Sequence, residues 1–363
     1  MWLLFLLTQL LALVTTVILW WFCQPNKTVS KVILVGSIFI ISNSVLFYFF
    51  NGLGHERFRI YLIFSILQGF MVYAALLTAI IALIYCKLLR QPVRPKLARL
   101  IALAIYVSIA GLAVFNAYSP VVKRLTVSTN KPLAKPMTIA LVSDTHLGKW
   151  FGNRQIDNLL ALINESQPDV VLLAGDIMDD TTIYYDKTNM QARFSKLEAP
   201  LGVYAVLGNH DYLGYQDEIA REVTKAGVKV LDDEALLLDG AVWLVGRPDD
   251  SDRTRLSAEA LLAKTKADEG AEADKPVIFL EHRPSQIEAI SKLPIDLHMS
   301  GHTHGGQIFP LTTIMRLTRP LASGSKIIND TQFVVSSGFG IGSVPFRLGT
   351  RSEIWLITLQ PAS

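Results

Sequence analysis

The first third of the chain contains long uncharged apolar stretches separated by short polar connections. Four of them are long enough to cross a bilayer, because a spanning helix needs about 20 apolar residues. A buried helix of a soluble protein would explain one such stretch, but four in succession predict a membrane region. The first has no basic residue before it and no small-residue cleavage pattern after it, so we expect it to be retained. The four predicted spans are Trp2–Phe22, Val32–Phe50, Ile60–Cys86 and Leu100–Tyr118.

The rest of the chain alternates short apolar runs with amphipathic segments. Gln155–Glu165 and Tyr215–Ala226 have apolar residues at helical spacing, and Asp239-Gly240 between two apolar runs predicts a hairpin. The acidic segment Asp268–Asp274 predicts a solvated loop. Strands and helices in alternation, followed by a strand-rich end, predict a layered α/β sandwich. The predicted strands are Val121–Val127, Thr138–Ser143, Val170–Ala174, Val203–Leu207, Leu236–Leu238, Val242–Val245, Val277–Leu280, Ile295–Met299, Phe333–Ser336 and Ile354–Leu359.

The distribution of charged residues changes at the same place in the chain as the hydropathy. Residues 1–118 hold one acidic and nine basic side chains (net +8), whereas residues 119–363 hold 30 acidic and 25 basic ones (net −5). The total of +3 therefore comes from residues that flank the predicted spans, and it indicates no nucleic-acid partner. We predict a four-helix transmembrane anchor over residues 1–118, a juxtamembrane linker with an edge strand over 119–136, and one α/β domain over 137–363.

The short connections between the spans predict the orientation in the membrane. The first and third connections share one face and carry two and five basic residues, whereas the second carries Arg57 and Arg59 beside Glu56. Basic connections favour the cytoplasm. We therefore expect a multi-pass protein of the plasma (inner) membrane with its second domain extracytoplasmic. The two cysteines, Cys23 and Cys86, lie at the ends of spans, so no disulfide is expected in the second domain.

Five clusters of histidine, carboxylate and amide side chains follow the predicted strands. Ligands collect at this edge of open α/β sheets. Such groups without thiolate suit Mn, Fe, Zn or Co, and two adjacent cations need a shared carboxylate to offset their repulsion. Asp176, next to the flexible Gly175, is the expected bridge. The clusters are Asp144-Thr-His146, Gly175-Asp176-Ile-Met-Asp179, Gly208-Asn209-His210-Asp211, His282 and Gly301-His302-Thr-His304.

In this order the clusters resemble the calcineurin-like metallophosphoesterase superfamily, whose pattern is D-x-H, G-D-x-x-D, G-N-H-[DE], a lone H and G-H-x-H. The resemblance implies a four-layer α/β/β/α sandwich after the all-α membrane region. The segments Gly301–Gln307, Ser337–Gly340 and Arg351–Ile354 are similar to the branch of transmembrane proteins with a metallophosphoesterase domain. Ser352 stands where that branch is expected to have proline.

The resemblance also implies a role for each motif residue. His210 is expected to be catalytic, protonating the leaving alkoxide or stabilising the charge of the transition state, and Asp179 is expected to orient its imidazole. The nucleophile is expected to be a hydroxide that bridges two divalent ions, with no covalent phospho-enzyme. The expected ligands of one metal are Asp144, His146, Asp176 and His304, and those of the other are Asp176, Asn209, His282 and His302.

Simpler interpretations exist for single residues. Any one of these histidines alone is more often a satisfied core or surface side chain, but five of the chain's seven lie at motif positions. His298 does not, and we assign it to strand packing. Asp211 is interpreted as a turn or cap residue and Asp180 as solvated. Gly305-Gly306-Gln307 either lets the backbone approach a phosphate or forms a tight turn.

The leading functional prediction is a membrane-anchored phosphoesterase that hydrolyses phosphodiester or pyrophosphate bonds of envelope lipids or lipid precursors. The apolar and basic segment Leu311–Ala322 is expected either to dip into the interface and admit a lipid phosphate or to be an ordinary packed insertion. One alternative keeps the chemistry with soluble nucleotides or small phosphoesters as substrates. Another is a non-catalytic membrane receptor or scaffold on the same fold, which is disfavoured because no ligand is missing. No oligomeric state is indicated.

Overall fold

The structure is a computed structural model that describes residues 2–50, 56–267 and 274–362. Most of the predicted acidic loop and part of the second connection, at 268–273 and 51–55, lie outside the described residues. The chain folds in two units, which are treated separately. The helical unit comprises Met1–Phe115 with Ser343–Pro345, and the α/β unit comprises Asn116–Gly342 with Phe346–Ser363.

The first unit is built from long apolar helices. Among the described residues, three helices have the length and composition to cross a membrane: Trp2–Cys23, Arg59–Leu88 and Pro95–Tyr118. Three of the predicted spans therefore correspond to helices that are long and apolar enough to cross a membrane. The second helix has its apolar stretch over Thr28–Ser44, so the predicted span Val32–Phe50 stays a prediction. The helices are α1 (Trp2–Cys23), α2 (Thr28–Phe50), α3 (Glu56–Leu88) and α4 (Pro95–Tyr118).

Polar side chains inside this unit hydrogen-bond between helices. Gln9 Nε2 donates to Asn43 Oδ1 at 2.5 Å, which joins α1 to α2. Ser42 Oγ donates to Gln68 Oε1 at 2.9 Å, which joins α2 to α3. Such bonds satisfy polar groups that an apolar surrounding leaves unpaired.

Strands of the α/β unit form two six-stranded sheets. The strands are β1 (Val121–Thr129), β2 (Met137–Val142), β3 (Val170–Ala174), β4 (Val203–Val206), β5 (Lys229–Val230), β6 (Glu234–Leu238), β7 (Val242–Gly246), β8 (Val277–Leu280), β9 (Leu297–Ser300), β10 (Gly324–Ile328), β11 (Thr331–Val335) and β12 (Glu353–Pro361). The strand orders are β1-β12-β2-β3-β4-β5 and β10-β11-β9-β8-β7-β6.

The strand pairing follows the sequence pattern. In the first sheet β2 to β5 are parallel. Strand β12 pairs antiparallel with β2 and parallel with the edge strand β1, which corresponds to the predicted Val121–Val127. In the second sheet β7, β8, β9 and β11 are parallel. The predicted hairpin joins β6 to β7, and Asp239 (φ 49°) and Gly240 (φ 63°) supply the positive φ angles that a tight hairpin turn requires.

Seven helices accompany these strands. They are α5 (Asn153–Ser166), α6 (Ile183–Lys187), α7 (Gln191–Phe194), α8 (Gln216–Lys225), α9 (Ala258–Ala267), α10 (Ile287–Ile290) and α11 (Leu311–Thr318). The predicted helices at 155–165 and 215–226 are confirmed as α5 and α8. The segment predicted at 311–322 contains α11.

Apolar side chains form three cores in the α/β unit. The central core draws residues from both sheets, such as Ile139 of β2 and Met299 of β9. A second core joins the first sheet to α5 and α8, and Ile156 of α5 belongs to it. A third joins the second sheet to α9 and α10 through residues such as Leu261. The buried strands hold the loops at their ends in place.

Candidate metal centre

The five motifs follow the carboxyl ends of parallel strands. Each begins one or two residues after β2, β3, β4, β8 or β9 ends. Backbone hydrogen bonds join the first two loops, because Asp144 N donates to Gly175 O and His146 N donates to Asp176 O, both at 3.0 Å. The fold therefore brings together residues that lie up to 160 positions apart in the sequence.

Five of the predicted metal ligands have a left-handed backbone conformation. Their φ angles are 52° for Asp144, 42° for His146, 50° for Asp176, 68° for His302 and 48° for His304. This conformation is strained for residues with a side chain, by about 1–3 kcal/mol each. Strain of this kind collects at functional sites, where the surrounding structure maintains it.

One group of side chains consists of Asp144, His146 and His304. His146 Nε2 lies 3.2 Å from His304 Nε2, and the latter lies 3.5 Å from Asp144 Oδ1. All three side chains are buried. The carboxylate of Asp144 is held by the backbone N–H of His302, which donates to both of its oxygens at 3.1 Å.

A second group consists of Asp176, His282 and His302, with Asn209 beside it. His282 Nε2 lies 3.1 Å from both Asp176 Oδ2 and Asn209 Oδ1. On the other side of the ring, Nδ1 contacts Ala174 O at 2.7 Å, so this nitrogen carries the proton. Nε2 then points towards the group, as the coordinating nitrogen of a metal-binding histidine does.

Asp176 lies between the two groups. Its Oδ2 is 3.7 Å from His146 Nε2 and 3.1 Å from His282 Nε2. Its Oδ1 accepts a hydrogen bond from His210 N at 2.8 Å. A carboxylate in this position is suited to bridge two cations, as the sequence analysis expects.

The electrostatics of the site fit positive ions. Burial, and then the charge of His282, lower the pKa of His302 to about 3, so its imidazole is neutral and has a lone pair. Burial and Arg347 lower the pKa of His304. For His282, burial lowers the pKa, but the Asp176 carboxylate raises it to about 10. The Asp176 carboxylate therefore favours a positive charge beside it, and the oxygen and imidazole donors suit divalent metals.

His210 lies at the edge of the site, and its carboxylate partner differs from the expected one. Its Nδ1 pairs with Asp180 Oδ1 at 2.5 Å, whereas Asp179 lies near His146 Nδ1, at 3.7 Å. Asp180 has a side chain only 17% exposed, so the interpretation of it as solvated is wrong. Because neighbouring loop residues point in different directions, sequence spacing does not distinguish these two carboxylates. Burial lowers the pKa of His210, but the hydrogen bond to Asp180 raises it to about 9.

The simpler interpretations are also resolved by the structure. The buried carboxylate of Asp211 accepts hydrogen bonds from the backbone N–H groups of Gly208, Ile177 and Met178 at 2.8–3.2 Å, which confirms its capping role. It ties the second and third motif loops together. A Cβ on Gly306 (φ 82°) would lie 2.7 Å from Thr312 N, which favours the tight-turn interpretation of this loop.

His298 is buried in β9 between aromatic rings, as strand packing predicts. Its ring centroid lies 5.8 Å from that of Phe279 and 4.9 Å from that of Phe333. Its Nε2 also contacts Glu281 Oε1 at 2.9 Å, and Arg247 binds the other oxygen of this buried glutamate. These contacts stabilise the end of β8, which His282 follows.

Arg347 was not predicted from the sequence. Its guanidinium is fully buried, and Nη2 donates to His304 Nδ1 at 3.1 Å and to Gly340 O at 2.7 Å. Burial lowers its pKa to about 10. Gly338 (φ 87°) provides a further carbonyl acceptor at 3.1 Å, and a Cβ there would lie 2.9 Å from Asp144 Cβ. The signal in the sequence that could have identified this residue is an arginine between Phe346 and Leu348, close to a glycine-rich segment.

Comparisons with known proteins agree with this geometry. The family model described as calcineurin-like phosphoesterase matches residues 137–306. The chain is 31% identical over 293 residues to a transmembrane protein with metallophosphoesterase domain from Bos taurus, covering 74% of this chain and 63% of that protein. An uncharacterized metallophosphoesterase of Aquifex aeolicus is 31% identical over 243 residues, which cover 66% of this chain and 91% of that protein. An uncharacterized metallophosphoesterase of Helicobacter pylori is 30% identical over 275 residues, which cover 74% of this chain and 72% of that protein. The chain thus spans less than two thirds of the bovine protein.

Proposed function

The chain belongs to the calcineurin-like phosphoesterase family and is a metal-dependent phosphoester hydrolase, and from this premise we propose that it is a membrane-anchored dinuclear enzyme acting on lipids. Its substrates are phosphodiesters or pyrophosphates of envelope lipids or lipid precursors. The observation that carries the proposal is the position of Asp176 between two groups of buried histidine and carboxylate ligands.

We assign the seven predicted ligands to two cations that share Asp176. Bound divalent ions, whether Mn, Fe, Zn or Co, supply Lewis acidity that lowers the pKa of water and neutralises the charge of the phosphate. The neutral imidazole of His302 supports this assignment. One cation takes Asp144, His146, Asp176 and His304, and the other takes Asp176, Asn209, His282 and His302.

His210 is the proposed proton donor to the leaving oxygen. Its Nδ1 is held by Asp180, so Nε2 is the nitrogen available to the substrate. Asp179 lies within 4.8 Å of His146 and His210 and adds negative charge beside both rings. We propose that the two carboxylates together orient the imidazole and stabilise its protonated form.

The membrane region is proposed to be an anchor of four spans over residues 1–118. We place residues 119–136 as a linker and residues 137–363 as a four-layer α/β/β/α domain, outside the cytoplasm and at the plasma (inner) membrane. The basic first and third connections support this orientation. Three spanning helices and the core shared by the two sheets support the architecture.

A hydrolysis panel tests the proposal. The full chain, purified in detergent with Mn²⁺, is offered a phospholipid pyrophosphate, a lipid phosphodiester, bis-p-nitrophenyl phosphate and mononucleotides. We expect the highest kcat/KM on a lipid substrate. Faster turnover of mononucleotides would favour the soluble-substrate alternative, and two bound metals without any turnover would contradict the proposal.

A further inference from the structure

Exposed large apolar side chains in the α/β unit are concentrated in the segments that follow the metal motifs. Nine are exposed among the described residues of this unit, and eight of them lie on the loop or helix that follows a metal motif. The ninth, Ile327, lies in β10. We define the apolar rim as Trp150, Ile183, Leu213, Leu311, Ile314 and Leu317, which come from four different motif loops.

Helix α11 provides the most exposed part of the rim. Leu311, Ile314 and Leu317 are 51%, 50% and 82% exposed, and their spacing of three residues places them along one stripe. The polar residue Thr312 is instead buried, at 3% exposure. A helix of a soluble domain normally buries its apolar stripe. The apolar face of α11 is therefore exposed, and it is the face that an apolar partner would cover.

The segment around α11 is basic within an acidic unit. Residues 305–325 contain Arg316 and Arg319 and no acidic residue, although residues 119–363 carry a net charge of −5. Exposed leucine and isoleucine flanked by basic side chains is the composition of helices that lie in the interface of anionic membranes.

The chain joins the α/β unit directly to an apolar helix. Only Ser119 and Pro120 separate α4, which is long and apolar enough to span a membrane, from β1. The first turn of α11 also packs on the metal loop, because a Cβ on Gly306 would lie 2.8 Å from the carbonyl of Leu311. The start of α11 therefore lies beside the loop that carries His304.

We propose that α11 and the apolar rim dock into an anionic lipid surface and so bring lipid phosphates to the metal site. This inference rests on the proposed function, because it supplies the route by which a substrate embedded in a membrane reaches the ligands. The charge complementarity of α11 and its continuity with a spanning helix favour a lipid surface over a protein partner.

Fluorescence quenching tests the docking. The full chain carrying Cys23→Ser, Cys86→Ser and Leu317→Cys is labelled with an NBD fluorophore in nanodiscs of phosphatidylcholine and phosphatidylglycerol that contain doxyl-labelled lipid. We expect strong quenching at this position and little at the control Glu288→Cys on α10. Equal, weak quenching at both positions would overturn the proposal and leave a protein partner as the covering surface.

A second measurement separates docking from the chemistry. We expect Leu317→Glu to lower the ratio of turnover on a lipid phosphoester to turnover on bis-p-nitrophenyl phosphate by about tenfold, which corresponds to about 1.4 kcal/mol. The control Ile327→Glu adds the same charge at an exposed apolar residue outside the rim and is expected to keep the ratio. An unchanged ratio in Leu317→Glu overturns the lipid route. Failure of the proposed function would appear differently, as absence of turnover on every substrate.

Discussion

Two histidines of the site are paired with neighbouring side chains: His210 with Asp180, and His304 with Arg347. The motif spacing in the sequence identifies the histidines and carboxylates that the fold gathers into two groups. It does not reveal that Asp180 is hydrogen-bonded to His210. Nor does it reveal the contact of Arg347 with His304, because these positions are 43 residues apart and Arg347 lies in a loop without regular structure.

Asp176→Asn is expected to reduce turnover by about a thousandfold or more, since an amide lacks the charge needed to hold two cations together. The metal content should fall by at least one equivalent per chain, while circular dichroism stays unchanged. Asp157→Asn, at an exposed carboxylate paired with Arg193, is the matched control and should retain activity. Full activity in Asp176→Asn would refute the metal assignment.

Arg347→Lys is expected to lower the free energy of unfolding by about 1–3 kcal/mol, because lysine does not reproduce the buried fork that contacts both His304 and Gly340. Thermal unfolding of the metal-stripped full chain measures this change. Arg193→Lys, at an exposed arginine, should unfold at the unchanged temperature. Equal unfolding temperatures in both variants would show that the contacts of Arg347 do not stabilise the site.

The two carboxylates near His210 are distinguished by separate substitution. Asp180→Asn is expected to lower kcat by about tenfold or more and to change KM little, because it removes the partner of Nδ1. Asp179→Asn should lower kcat less. The reverse order would assign the orienting role to Asp179, as the family pattern implies.

At the scale of elements, the strands were predicted best. Parallel strands buried on both faces consist of continuous apolar runs, and β3 begins and ends at the predicted residues. Short elements such as α7, β5 and α10 were not predicted, because four residues or fewer carry too little periodicity. Their formation depends on tertiary packing.

The packing of α11 on the metal loop is tested by Gly306→Ala. The added Cβ would meet the Leu311 and Thr312 backbone at 2.7–2.8 Å, at a positive φ of 82°. We expect a loss of about 2–4 kcal/mol in the free energy of unfolding and weaker metal binding. Gly240→Ala has a similar φ, 63°, with nothing within 4 Å, so it measures the backbone strain alone and should cost about 1 kcal/mol. Equal effects on thermal unfolding would contradict the packing argument.

At the scale of the whole molecule, the change in hydropathy and charge near residue 118 predicted two regions of different character. The structure divides the chain at Phe115 and Asn116, with α4 continuing to Tyr118. The placement of exposed apolar residues next to the metal motifs was not predictable, because exposure is a property of the folded chain. A run such as Leu311–Leu317 is equally compatible with a buried helix until the fold is known.

Metal reconstitution tests the central claim most directly. The full chain is stripped of metal with EDTA in detergent, and turnover is measured while Mn²⁺ is added in known equivalents. Two cations sharing Asp176 predict no turnover without metal and recovery that is complete at two equivalents per chain. Turnover that survives complete removal of metal, or that saturates at a single equivalent, would contradict a dinuclear centre.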